Sequence, residues 1–251
     1  MRAFLTMLIL ATVAQAAPVP KPSAKEQVEA KFGKIVDPKG DTDFKMDGKT
    51  LVVMLPGNAV KIIEVDREEE FEKPRKMVGN SPTIEFKEFK GDFEVEFAVT
   101  IKLSPKAGGH DGKRVAVFAG AGLLIECKER GGISFGLLNR RDKDDSALSP
   151  HILLNCNLVG IGMSSGALIG RGDQKKTPPE GTLKTRQRFG GDGILVEWAV
   201  GSERMAPIYE STGEFVTSAP MKLSLVFFHS SDTAHEVRID DFKITPIVKK
   251  K

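Results

Sequence analysis

From Phe93 to Leu103 every second residue is apolar: Phe93, Val95, Phe97, Val99, Ile101 and Leu103. The residues between them are Glu94, Glu96, Ala98, Thr100 and Lys102, polar in all but one case. A period of two is the mark of a strand with one face on a core and the other in water. Phe93, Phe97 and Ile101 are therefore expected inside, and Glu94 and Glu96 on the wet face.

The same alternation recurs along the chain. Leu51, Val53 and Leu55 share one face, and so do Ile84 and Phe86, Ile133 to Leu137, Ile152 to Leu158, Ile194 to Val200 and Met221 to Phe227. Val115 to Phe118 and Leu123 to Ile125 are more continuously apolar, as central strands are. The last run pairs Val237 with Ile239, then Phe242 with Ile244, so its phase shifts at Asp240-Asp241. One extra residue there, a β-bulge, lets both pairs face inward. Ala24 to Phe32 is the one short helical pattern. About ten short strands between Gly- and Pro-rich turns predict an all-β, two-sheet antiparallel sandwich with one short N-terminal helix. A parallel α/β fold needs helices between its strands, and the sequence leaves no room for them.

The organisation expected is a signal peptide over 1–16, an extended tether over 17–25, one sandwich domain over 26–247 and a basic tail over 248–251. Arg2, the apolar run Phe4 to Val13 and Ala14-Gln15-Ala16 have the order of an export signal. The run is too short to span a bilayer. The expected location is secreted or periplasmic, in the cell envelope, with no integral membrane segment after cleavage. A formal net charge of +3 in 251 residues is too balanced for a nucleic-acid binder. Export leaves two readings for Cys127 and Cys156: a disulfide, or two small buried hydrophobes.

Two segments read as long loops. Glu64 to Lys76 is dense in charge. Gly166 to Gly193 is rich in Gly and Pro, and between Arg171 and Arg188 it carries Arg171, Lys175, Lys176, Lys184, Arg186 and Arg188 against Asp173 and Glu180. Loops of this length are often functional. Cations in a mobile exported loop suit an anionic glycan, and Arg171, Lys175, Lys176, Arg186 and Arg188 are the ligand-binding candidates.

Asp37-Pro-Lys-Gly-Asp-Thr-Asp-Phe44, Leu51-Val-Val-Met-Leu-Pro-Gly57, Asn80-Ser-Pro with Phe89-Lys-Gly-Asp-Phe93, Ala121-Gly-Leu-Leu-Ile125 and the closing Val237-Arg-Ile-Asp-Asp-Phe-Lys-Ile244 resemble secreted bacterial laminin-G-like domains of the concanavalin A-like lectin/glucanase superfamily. The resemblance runs through most of Gly33 to Pro246 and is weakest between Asn139 and Gly193. It implies a jelly roll and a partner that is an extracellular glycan. Relatives with glycan sites place Trp and Tyr on the concave sheet, whereas this chain has one of each, Trp198 and Tyr209. Trp198 alternates with Ile194, Val196 and Val200, which makes it a core residue.

Glycoside hydrolysis needs paired carboxylates. Glu94, Glu96, Glu126, Glu129 and Glu197 are the candidates, but Asp92-Phe-Glu-Val-Glu96 does not reproduce the Glu-x-Asp-x-x-Glu strand motif of the superfamily's glucanases. Asp37, Asp41 and Asp43 lie in a Gly-containing turn; the resemblance implies that the first and last strands run side by side, so that Asp240 or Asp241 completes an oxygen set of the kind calcium takes. The plainer reading is turn-forming aspartates. His110, His151, His229 and His235 share no metal spacing. His229-Ser-Ser-Asp232 holds the residue types of a hydrolase triad without a Gly-x-Ser-x-Gly elbow. The expected function is an exported, non-catalytic sandwich that binds a carbohydrate or another extracellular ligand. A glycan hydrolase and a structural envelope protein are the alternatives.

Overall fold

The computed structural model describes residues 22–65, 77–102, 107–108, 116–127, 131–142, 149–158, 166–170, 180–212 and 219–248. The expected signal peptide, most of the tether, Leu103, Glu129, His110 and the Lys249 to Lys251 tail lie outside these residues. Helix α1 (Ala24–Lys31) starts inside the expected tether, because Ser23 caps it: the Glu26 amide donates to Ser23 Oγ and Glu26 accepts from the Ser23 amide.

Among the described residues seventeen strands follow in chain order. One sheet runs β1 (Lys34–Val36), β7 (Thr83–Glu85), β16 (Met221–Ser231), β9 (Ala116–Cys127), β10 (Gly131–Asp142), β11 (Ser149–Leu158) and β12 (Gly166–Gly170), with β4 (Ala59–Lys61) also paired to β16. The other runs β15 (Ala206–Ser211), β14 (Gly193–Val200), β13 (Glu180–Gly190), β8 (Phe93–Lys102), β17 (His235–Pro246), β3 (Thr50–Leu55) and β2 (Asp43–Asp47). A small separate pair joins β5 (Ile63–Val65) to β6 (Met77–Gly79). Every pairing is antiparallel.

Strand β8 sits between β13 and β17, near the middle of its sheet. Phe93, Val95, Phe97, Val99 and Ile101 are buried, as their period requires, and join a single core between the sheets. Burial of each such side chain is worth about 1.5–3 kcal/mol. Within the seven-stranded sheet Phe93 stacks on Phe189 at 5.0 Å, and Phe135 links the other sheet to it, 6.1 Å from Phe189 and 5.5 Å from Tyr209. Trp198 is buried in the same core. The expected bulge is present: Asp240 pairs with Ala98 and Lys243 with Glu96, so Asp241 and Phe242 together oppose Phe97. Asp241 takes a left-handed backbone, φ 54°.

One loop expectation is corrected. Gly166 to Gly193 contains β12, β13 and the start of β14. Leu183, Thr185, Gln187 and Phe189 of β13 point inward and are buried. Two polar residues among the four inward positions erased the apolar period that marks a strand, and Arg186 and Arg188 belong to the strand, not to a loop. Glu64 to Lys76 begins within β5, and β6 starts at the next residue; 66–76 lie outside the described residues.

The register also bears on the cysteines. Cys156 pairs with Ile133, and Ile133 pairs in turn with Ile125, two residues from Cys127. The two cysteines therefore stand at least two interstrand spacings apart, about 10 Å. A disulfide requires Cα atoms within about 7 Å.

Candidate functional site

The outward residues of β13 alternate with its buried ones, so Lys184, Arg186 and Arg188 stand on the outer face of the seven-stranded sheet. The register decides their neighbours. Arg186 is opposite Glu96 on one side and Glu197 on the other, and Arg188 is opposite Glu94. Opposed residues on one face lie close enough for their side chains to meet.

Arg186 is the centre of the resulting cluster. Its Nε lies 2.5 Å from Glu96 Oε1 and 3.9 Å from Glu94 Oε1, and its Nη1 lies 3.5 Å from Glu197 Oε2. Arg188 Nη2 donates to Glu94 Oε2 at 3.0 Å. The Arg186 guanidinium is raised above its already high ordinary value. The hydrogen bond to Glu96 contributes most, and the charges of Glu96, Glu94 and Glu197 add to it, against a desolvation cost. The group is thus a fixed cation holding three carboxylates on a rigid sheet. Three of the five candidate carboxylates, Glu94, Glu96 and Glu197, and two of the basic ligand candidates, Arg186 and Arg188, thus form one cluster.

What the cluster can do follows from its state. A general acid must deliver a proton to its substrate. Here the carboxylates serve as acceptors for guanidinium N–H groups, which favours the charged pair. The arrangement suits an array of fixed donors and acceptors better than an acid–base pair. Glu126 lies in the other sheet, 3.9 Å from Lys222, whose Nζ also reaches Glu85.

Arg171, Lys175 and Lys176 lie outside the described residues. Asp37, Asp41, Asp43 and Asp241 are not brought together. Asp37 accepts from the Lys39 and Thr42 amides, forming a turn. Asp41 binds Lys61. Asp43 pairs with Met54, in the row of Glu236, whereas Asp241 lies beyond the Leu51–Ile239 pair toward the opposite end of the same strands. The first part of the chain does run beside the last, as β3 against β17, but the aspartates fall at different heights. Among the described residues no group of three or more His, Cys, Asp or Glu is placed to hold a metal ion.

His229 and His235 have ring centroids 5.3 Å apart. Ser231 Oγ lies 3.0 Å from His235 Nε2. Ser231 is fully buried, so it has no route to a substrate as a nucleophile.

The sequence reading missed a second feature, because it sought Trp and Tyr and passed over the fifteen phenylalanines. Where the end of α1, the segment after β7 and the bulge of β17 meet, Phe86 stacks on Phe242 with centroids 5.0 Å apart and planes 15° from parallel. Phe32 meets Phe242 edge-on at 6.0 Å. These three half-buried rings line a cleft of about 410 Å³ with Lys31, Lys49 and Asp241.

No family model matches the sequence, and no curated protein matches it. Solved structures do match in shape. A functionally unknown protein from Saccharomyces cerevisiae superposes with a TM-score of 0.55 at 10% identity, over 87% of this chain and 98% of that one. An alginate lyase from Klebsiella pneumoniae matches with a TM-score of 0.49 at 11% identity, over 82% of this chain and 85% of that one. A legume lectin-like domain from Entamoeba histolytica matches with a TM-score of 0.45 at 13% identity, over 83% and 91%. Its two antiparallel sheets packed on one core make the chain a β-sandwich, a fold it shares with the Saccharomyces cerevisiae protein.

Proposed function

We propose that this protein is an exported, non-catalytic β-sandwich that binds a carbohydrate or another extracellular ligand on the outer face of its seven-stranded sheet. The observation that carries the reading is Arg186 held among Glu94, Glu96 and Glu197, with Arg188 beside it. A polyhydroxylated ligand is recognised by fixed polar groups, and groups on paired strands lose little freedom on binding. Glu96, Arg186 and Arg188 are each at least a third exposed, so their remaining donors and acceptors can reach a ligand. Arg171, Lys175 and Lys176 precede β13 in sequence and add positive charge, which favours a uronate or sulfated glycan.

A glycan array probed with the full chain tests the reading. Retention of acidic glycans, reduced by Arg188→Ala, is the expected result. Release of shortened products from any retained glycan overturns the non-catalytic assignment, and retention of no glycan at low salt overturns the binding assignment. Recovery of the chain from the envelope or medium with a new N-terminus at Ala17 is the corresponding expectation for export.

A further inference from the structure

We propose that the phenylalanine–lysine cleft is a second binding site, for a small anion that carries an apolar ring face. The inference is independent of the charged sheet face and of export.

Three observations converge on it. The first is shape: about 410 Å³ between α1 and the β17 bulge, with an adjoining cleft of about 470 Å³ that shares Lys31, Phe32 and Phe86. Volumes of this size hold small-molecule ligands. The second is backbone strain. Asp241, a lining residue, is one of two described non-glycine residues with positive φ, and its left-handed backbone swings Phe242 out of the strand register and against Phe86. Such outliers persist where surrounding structure enforces them, and they concentrate at ligand sites.

The third is charge. Lys31 and Lys49 line the first cleft, and Lys34 and Lys87 the second. Of the acidic residues near them, Glu29 accepts from the Ile35 amide and Glu85 accepts from Lys222. With Glu85 paired to Lys222, Asp241 and Glu29 are left against the four lining ammonium groups, an excess of positive charge. Lys31 is held in place from two sides: its Nζ donates to the Lys49 carbonyl at 2.9 Å and stands 5.2 Å from the Phe32 centroid. An ammonium fixed beside half-buried rings selects a carboxylate or sulfate attached to an apolar face, because the ring displaces water from the phenylalanines while the anion meets the lysines. The chain's own Lys249-Lys250-Lys251 end has the wrong charge to fill the cleft.

Two ligand sources share this chemistry: a free aromatic acid and a uronic acid residue of a glycan, whose C–H face is apolar. Calorimetric titration of the full chain with phenylacetate and with a galacturonate trisaccharide separates them, and phenylacetamide and a neutral galactose trisaccharide are the controls. One of the two anions is expected to bind, its neutral counterpart at least about tenfold more weakly. Lys49→Glu is expected to weaken binding by about tenfold or more without altering the melting temperature, since Lys49 is an exposed turn residue. Phe242→Ala tests the ring, and should it fail to fold, Phe32→Leu replaces it. Binding of neither anion below about 10 mM, equal binding of the neutral controls, or full binding by Lys49→Glu overturns the proposal.

Discussion

Lys61 Nζ lies 2.6 Å from Asp41 Oδ1, and the two side chains differ sharply in exposure: 1% for Lys61 and 40% for Asp41. The lysine enters this environment because β4 pairs with β16, placing Lys61 opposite the buried His229. The carboxylate reaches in from the turn before β2. An ion pair with one partner in water and one in the core has unequal dependence on its two members.

Asp41→Asn is therefore expected to cost about 2 kcal/mol or more, because it leaves a buried ammonium without its counter-charge. Lys61→Met should be close to neutral, since the Asp41 left behind is solvated and the methionine is of similar shape. Urea denaturation of the two variants checks the asymmetry. Equal losses would mean that the pair, not the buried charge, sets the cost.

Arg186→Ala leaves Glu94, Glu96 and Glu197 close together without their shared cation. The expected loss at neutral pH is about 1–2 kcal/mol, kept modest because Arg186 is more than a third exposed. Arg186 has a raised pKa, so its contribution is complete at neutral pH and is lost only as pH rises into strong alkali. Urea denaturation of variant and parent at neutral pH measures the difference.

The capping box of α1 gives a second pH effect. The Glu26 carboxyl is held below its ordinary value of 4.5 by the Ser23 amide first and the Ser23 hydroxyl second. A depressed folded-state pKa means that the contribution is present above 4.5 and fades as pH falls through the lower, folded-state value. Amide exchange at Val28 and Phe32 should speed up in that acidic window, and Glu26→Gln should remove most of the pH dependence.

Close strand packing predicts the cost of one methyl group. A Cβ at Gly122 would lie 2.3 Å from the Phe135 carbonyl oxygen and 2.4 Å from Gly136 Cα, both backbone atoms of the neighbouring β10. Gly122→Ala is expected to cost about 3 kcal/mol or more, or to prevent folding. Gly40→Ala meets no atom within 4 Å at its φ of 65°, so it should cost only about 1–2 kcal/mol. Chemical denaturation of the two variants compares a clash with a purely conformational penalty.

The sequence by itself determined the sandwich. The alternation in β8 placed Phe93, Phe97 and Ile101 in the core, and the phase shift at Asp240-Asp241 located the bulge, because side-chain direction along a strand is a local property of the backbone. β13 was hidden because the sheets bury Thr185 and Gln187, with Thr185 Oγ1 donating to the Glu197 carbonyl. A polar residue buried inside leaves no apolar signal in the sequence. The charged cluster joins Arg186 to Glu96 across 90 positions of chain, and the cleft joins Phe32, Phe86 and Phe242. Only strand register and sheet packing could decide those meetings, since non-local pairing is set by the whole core and not by any segment alone.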